Sequence, residues 1–216
     1  MVKIHQKNIF LSSACTYPKD YSAIGGESRF FHLIGTIDSC KKVDDSINLI
    51  AEASSINEMQ KKALEMKNAV LFDWSSDEKI RDASNNKQSG TLSLWLKTLE
   101  TIEVSDDSNI FFLSGRYRLT SEFKLEDFEG DYVFKKHWYA EGRGGWFGTQ
   151  LFKISSSKKD EFIEVIKLAL EKLGKTAQDV ECSIYQAIAE KNIVVKEIDH
   201  VGCEGILAPT GKNEKH

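Results

Sequence analysis

NIFFLSGRYRL, residues 109–119, is an apolar run that stops abruptly at Ser-Gly-Arg-Tyr. Consecutive apolar residues from Ile110 to Leu113 predict a strand buried on both faces, because a strand with one face in water alternates instead. The polar tetrapeptide Ser114-Gly115-Arg116-Tyr117 then sits where such a strand would leave its sheet. Ligands of open α/β sheets bind outside the carboxyl ends of the strands. Gly115 lets backbone approach a ligand closely, Arg116 offers a rigid fork of donors suited to phosphate, and Tyr117 offers an aromatic face with a hydroxyl. The same residues also fit a plain turn whose arginine forms a surface salt bridge.

Working outward, the chain before this run alternates strand and helix signals. Asn8 to Ala14 reads as a first strand, Ser28 to Lys42 as a helix, Ile47 to Ala51 as a second strand, Ile56 to Met66 as a helix and Ala69 to Trp74 as a third strand. That alternation predicts right-handed crossovers and a largely parallel sheet. Ser75 to Ser89 is polar and reads as a solvated loop carrying Arg81 and Lys87, before a helix from Thr91 to Thr101. The amides at that helix start, beside Lys87, would attract an anion.

Beyond the tetrapeptide the pattern changes. Tyr132 to Trp138 and Trp146 to Ile154 alternate around Gly142-Arg143-Gly144-Gly145, which predicts a hairpin. Trp138, Trp146 and Phe147 read as hairpin packing or as a sugar-stacking platform. Lys158 to Leu173 is amphipathic and closed by Gly174, and Gln178 to Lys191 is a second helix. Ile193 to Val195 and Ile206 to Ala208 read as short strands, and Gly211 to His216 as a frayed tail.

The chain has 216 residues, of which 41% are hydrophobic and 10% aromatic, enough for one α/β domain with elaborations. A formal net charge of −4 gives no global basic field and argues against nucleic acid as the main partner, while a phosphate-bearing small molecule needs only a few cations. There is no secretory signal pattern at the start and no run near the roughly 20 apolar residues of a membrane span, so a cytoplasmic, soluble protein is expected. Cys15, Cys40, Cys182 and Cys203 are widely spaced and read as buried free thiols. No Gly-x-Ser-x-Gly elbow points to a hydrolase.

Several segments together resemble one family. FLSSA at Phe10 to Ala14, INLIAEAS at Ile47 to Ser54, FFLSGRYRL at Phe111 to Leu119, GTQLFKIS at Gly148 to Ser155, VECSIYQAI at Val180 to Ile188 and HVGCEGILAPTG at His200 to Gly211 carry the likeness. It is to the small GT-A-like glycosyltransferases of the nucleotide-diphospho-sugar transferase type found in large viruses, phages and bacteria. The resemblance implies one GT-A-like (Rossmann-like) domain, a mostly parallel sheet flanked by helices with a late β-hairpin. Residues 1–119 would form the nucleotide-sugar half, 120–210 the acceptor half and 211–216 a tail.

It further implies transfer of a sugar from a nucleotide-diphosphate donor to a hydroxyl acceptor, in glycan or polysaccharide synthesis. Ser12, Ser13 and Glu52 would hold the nucleotide, with Arg81, Lys87, Ser114, Gly115, Arg116 and Tyr117 toward the diphosphate. Glu181 would be the acceptor base; independently of the resemblance, His200 and His137 are acid/base candidates because histidine titrates near neutrality, and the strand-like run beside each fits a structural histidine instead. A helix-start role in the dipole field is the competing account of Glu181. A diphosphate leaving group needs positive charge or a metal, yet no Asp-x-Asp occurs in the chain. Either another carboxylate holds Mn²⁺ or Mg²⁺, with ligands the sequence does not identify, or Arg116 and Lys87 neutralise the diphosphate directly. A protein that keeps the fold and binds sugar nucleotides or glycans without catalysis is the alternative.

Overall fold

The computed structural model describes residues 1–18, 24–85, 89–140, 144–207 and 210–216. In chain order these form β1 (Val2–Ile4), β2 (Asn8–Ala14), α1 (Gly26–Cys40), β3 (Ser46–Glu52), α2 (Glu58–Met66), β4 (Ala69–Asp73), α3 (Glu78–Asn85), α4 (Ser89–Leu99), β5 (Ile102–Val104) and β6 (Asn109–Ser114). There follow β7 (Tyr117–Leu119), β8 (Tyr132–Ala140), β9 (Gly144–Ser155), α5 (Lys159–Lys172), α6 (Val180–Glu190), β10 (Lys196–Ile198), β11 (Cys203–Ile206) and β12 (Asn213–Lys215). The main sheet runs β10-β8-β9-β6-β2-β3-β4. β6, β2, β3 and β4 are mutually parallel, and β9 runs against both β6 and β8. This is the mostly parallel, helix-flanked sheet that the strand–helix alternation predicts.

The apolar run of β6 is continuous because both faces of the sheet are covered. Ile9, Leu11, Ile110 and Phe112 enter one core, while Phe10, Phe111 and Leu113 enter the other. On the first side, Trp95 of α4 meets Phe112 and Phe152 edge-on at 5.1 and 5.4 Å, and those two rings stack at 4.6 Å across the β6–β9 pair. On the second, Phe10 and Phe111 stack at 4.9 Å, with Phe123 and Phe128 closing over Phe111. Each buried ring contributes about 1.5–3 kcal/mol. A slip of one residue would exchange the two faces, so burial also fixes register.

Local chemistry sets the helix ends. Asn57 and Gln60 form a reciprocal capping box at the start of α2, and Gly174 takes φ +77° just after α5. Within Ser75–Ser89, which reads as a loop, the structure has α3. Asp77 Oδ1 accepts from the Lys79 and Ile80 amides at 3.0 and 3.2 Å, and Ile80 is buried. Ile80 and Ala83 are the apolar residues of this short, strongly polar helix, so its composition reads as a loop.

The C-terminal segment is ordered, not frayed. β12 pairs antiparallel with β11, which pairs with β7, and the Tyr117 hydroxyl donates to Glu214 at 2.9 Å. These partners are remote in sequence and leave no local signal. The late strands are also displaced, with β10 after Ile193–Val195 and β11 ending at Ile206. The hairpin β8–β9 forms, although Gly142 and Arg143 at its glycine-rich turn lie outside the described residues, as does Ala208. No helix among the described residues is long and apolar enough to cross a membrane.

Candidate functional site

β2 and β6 end side by side, Ser13 opposite Ser114, and β3 ends beside β2, Ala14 opposite Glu52. The chain turns sharply after β6, where the Gly115 amide donates to Ser13 O at 3.2 Å. A Cβ on Gly115 would lie 3.2 Å from both Ser13 O and Leu33 Cδ1, so any side chain here presses on β2 and α1. Ser13, Cys15, Thr16, Arg29, Gly115 and Arg116 line the cleft that results. Arg116 is held by its Nε donating to Ile206 O at 3.3 Å, and Arg29 of α1 donates from Nη1 to Cys15 O at 2.7 Å.

Two guanidinium groups, those of Arg29 and Arg116, line the cleft. Burial lowers the Arg116 guanidinium from its ordinary value, and the charge of Arg29 lowers it further. His32, one turn along α1 from Arg29, is lowered by burial, then by Arg116 and Arg29, and its buried Nδ1 makes no hydrogen bond among the described residues. Burial pushes the Cys15 thiol up to about 11, so it stays protonated and is a poor nucleophile. Arg29 and His32 were not singled out by sequence reasoning. They occupy adjacent turns of α1, where only their i, i+3 spacing and the position of the helix after the first strand could have pointed to them.

Glu52 is buried and fully engaged with the adjoining loops. Oε1 accepts from the amides of Thr16 and Ser54 and the Ser54 hydroxyl at 3.0, 2.8 and 2.6 Å, and Oε2 accepts from the Thr16 hydroxyl at 2.7 Å. The Ser12 hydroxyl is buried in β2 and has no hydrogen bond among the described residues. Ser114 is half-buried at the end of β6, opposite Ser13. Tyr117 is turned into the second core, its ring beside His216 and its hydroxyl on Glu214. Arg81 lies on α3, exposed and 3.9 Å from Glu78, away from the cleft lining. Lys87 lies outside the described residues.

Glu181 shares the sheet end with Arg116. Leu151 of β9 pairs with Leu113, so Thr149, two residues earlier on this reversed strand, lies beyond the carboxyl end of β6. The Thr149 hydroxyl donates to Glu181 Oε1 at 2.8 Å. Burial raises the Glu181 carboxyl above the usual glutamate value, opposed by that hydrogen bond. Its helix is started by Asp179, which accepts from the Cys182 amide at 2.8 Å and from Trp146 Nε1 at 3.2 Å.

His200 is not brought to this end. β11 runs so that the Ile206 amide meets Arg116 O, whereas Gly202 O meets the Thr120 amide, which leaves His200 exposed beside Glu122. His137 is bound through Nδ1 to Glu197 at 2.6 Å. Of the three hairpin aromatics, Trp146 and Phe147 are buried and Trp138, 6.2 Å from Trp146, is half-exposed.

Among the described residues, the donor set of this cleft does not fit a divalent metal. Its two cations repel one, Ser114-Gly115-Arg116 supplies no carboxylate, and the Glu52 oxygens are taken. Among the described residues no group of three or more His, Cys, Asp or Glu side chains is arranged to hold an ion.

No protein-family profile matches the chain, and no curated protein sequence does. Solved structures do. The PaToxG glycosyltransferase superposes with a TM-score of 0.52 at 14% identity, covering 86% of this chain and 69% of that one. The apo-form glycosyltransferase GlyE of Streptococcus pneumoniae TIGR4 gives 0.54 at 15%, covering 90% of this chain and 46% of GlyE, so the chain spans under half of that protein. A Desulfovibrio desulfuricans G20 protein assigned to the nucleotide-diphospho-sugar transferases gives 0.51 at 10%, covering 89% and 80%. Strand order, strand direction and these likenesses agree that the chain has the GT-A-like fold of nucleotide-diphospho-sugar transferases.

Proposed function

We propose that this protein transfers a sugar from a nucleotide-diphosphate donor to a hydroxyl acceptor, in glycan or polysaccharide synthesis. The observation that carries the proposal is the basic cleft of Arg29 and Arg116 at the strand ends, with the half-buried carboxylate Glu181 at the same end of the sheet. Ser13 and the Gly115 backbone line the cleft in which a diphosphate would lie, with Ser114 and Ser12 in the strands that end there and Glu52 shaping the loop that would face the nucleoside. In the reaction the bond between the sugar's anomeric carbon and the diphosphate oxygen breaks, and its electron pair leaves with the diphosphate toward the arginines. The acceptor oxygen forms the new bond and gives its proton to Glu181, whose raised affinity for protons suits a general base. Trp138 presents a half-exposed ring near the start of α6, suited to stacking on an acceptor sugar. Arg81 and Lys87 remain candidates for steering the anionic donor into the cleft.

The test is release of nucleoside diphosphate from a panel of nucleotide sugars, with water, monosaccharides and oligosaccharides as acceptors. Turnover of one donor is expected. Tight donor binding with no turnover on any acceptor would favour the non-catalytic reading, which the missing carboxylate pair at the strand end already makes specific. No binding of any donor would remove both.

A further inference from the structure

We propose that Arg116 and Arg29 occupy the place of a divalent cation, so that the cleft binds the diphosphate of a nucleoside diphosphate with no metal. The inference rests on the donor-binding reading above and specifies its chemistry. The end of the central strand β6 carries Ser114-Gly115-Arg116, the cleft lining has no carboxylate among the described residues, and Glu52, at the end of β3 two strands away, takes four hydrogen bonds from Thr16 and Ser54. Among the described residues a metal would therefore find no free carboxylate in the cleft lining and would face two guanidinium groups. An anion meets the opposite conditions. Arg116 is largely withdrawn from water, which weakens its screening and strengthens its attraction for a phosphate.

Two details fit the same ligand. His32 stands within the electrostatic reach of both arginines with a buried Nδ1 that has no hydrogen bond among the described residues. Gly115 brings backbone close to the strand ends, where a side chain would crowd Leu33 and Ser13. A divalent ion bridges two phosphate oxygens through point charge; an arginine fork reaches two oxygens by directed N–H donors. Neutralisation of the leaving diphosphate is then done by groups fixed before the donor arrives.

Calorimetric titration of the full chain with UDP, GDP, ADP, CDP and dTDP, each in EDTA and in Mn²⁺, tests this. One diphosphate should bind in EDTA, with affinity changed no more than about threefold by Mn²⁺, and its monophosphate should bind at least about tenfold more weakly. Arg116→Ala, checked for folding by circular dichroism, should weaken that binding about 10- to 100-fold. Arg116→Lys should fall between, because it keeps the charge and loses the fork; it also serves should the alanine variant not fold. Binding that requires Mn²⁺ would overturn the inference and leave the donor-binding proposal standing. Equal binding of monophosphate and diphosphate, or unchanged affinity in folded Arg116 variants, would also overturn it. No binding in either buffer would overturn both.

Discussion

Burial acts on Glu181 and His32 in opposite directions, raising the carboxyl and lowering the imidazole from their ordinary values. Burial raises the Glu181 carboxyl, so the folded chain holds that proton more tightly than the unfolded chain does. Its contribution to stability is then full below the ordinary glutamate value and lost as pH rises through the folded one. At neutral pH the charged form is a burden that glutamine does not carry. Glu181→Gln should therefore melt no lower than the wild type at pH 7, while single-turnover transfer falls by about 10²-fold or more. A lower melting temperature with near wild-type transfer would return Glu181 to a helix-start role. His32 is lowered first by burial and then by Arg116 and Arg29, the charged groups that face it from the β6–β7 turn and from its own helix. A bound diphosphate brings negative charge beside it and raises its proton affinity, so binding takes up protons and tightens as pH falls from 8 to 6. The phosphate's own titration works the other way, and His32→Asn isolates the imidazole's part: the difference in pH dependence between the two proteins should vanish above pH 8. Identical pH profiles would detach His32 from the ligand.

α6 is held at the same sheet end as the cleft, where Asp179 ties its first turn to the hairpin. The carboxylate caps the helix at the Cys182 amide and satisfies Trp146 Nε1, which is otherwise buried. Asp179→Ala loses a cap worth about 1 kcal/mol and strands the indole donor, for a total cost of roughly 2–3 kcal/mol. Asp179→Asn should restore most of the capping, and urea denaturation of both variants checks it. Nucleoside diphosphate binding should survive in each, since this junction lies on the far side of β6 from α1. Elements of this kind differ in how visible they are in sequence. The β6 run announces itself because its apolar residues are continuous, α5 because its burial has the helical period, the β8–β9 hairpin because its strands flank a glycine-rich turn, and Arg116 is visible because it follows the β6 run. α3 and β12 do not. One is fixed by the Asp77 cap and one buried isoleucine, the other by pairing with β11 and by Tyr117, almost a hundred residues away. Arg29 and His32 are hidden for a related reason: on α1 they read as the polar side of an amphipathic helix, and only the packing of α1 over the ends of β2 and β6 gives them a shared neighbour in Arg116.

The cleft belongs to the parallel strands and Glu181 to the elements after β8, yet one core runs beneath both. β6 and β9 pair from Asn109 opposite Ser155 to Leu113 opposite Leu151, and Trp95 packs on Phe112 of one and Phe152 of the other. A seam closed by backbone pairing and by shared aromatic packing is expected to open in one step with the rest of the sheet. Ligand held by the cleft alone should then stabilise the whole chain. At a hundred times its dissociation constant, a nucleoside diphosphate adds about 2.7 kcal/mol, which for a chain of this size raises the melting temperature by about 5–10 °C. Scanning calorimetry should show a single transition that moves as a whole, in EDTA as well as in Mn²⁺. Arg116→Ala at the same ligand concentration should lose most of the shift, and Asp179→Asn should keep it. Two transitions, of which only one responds to ligand, would mean that the β6–β9 seam does not couple the cleft to Glu181, and that acceptor and donor sides come together only when both are bound.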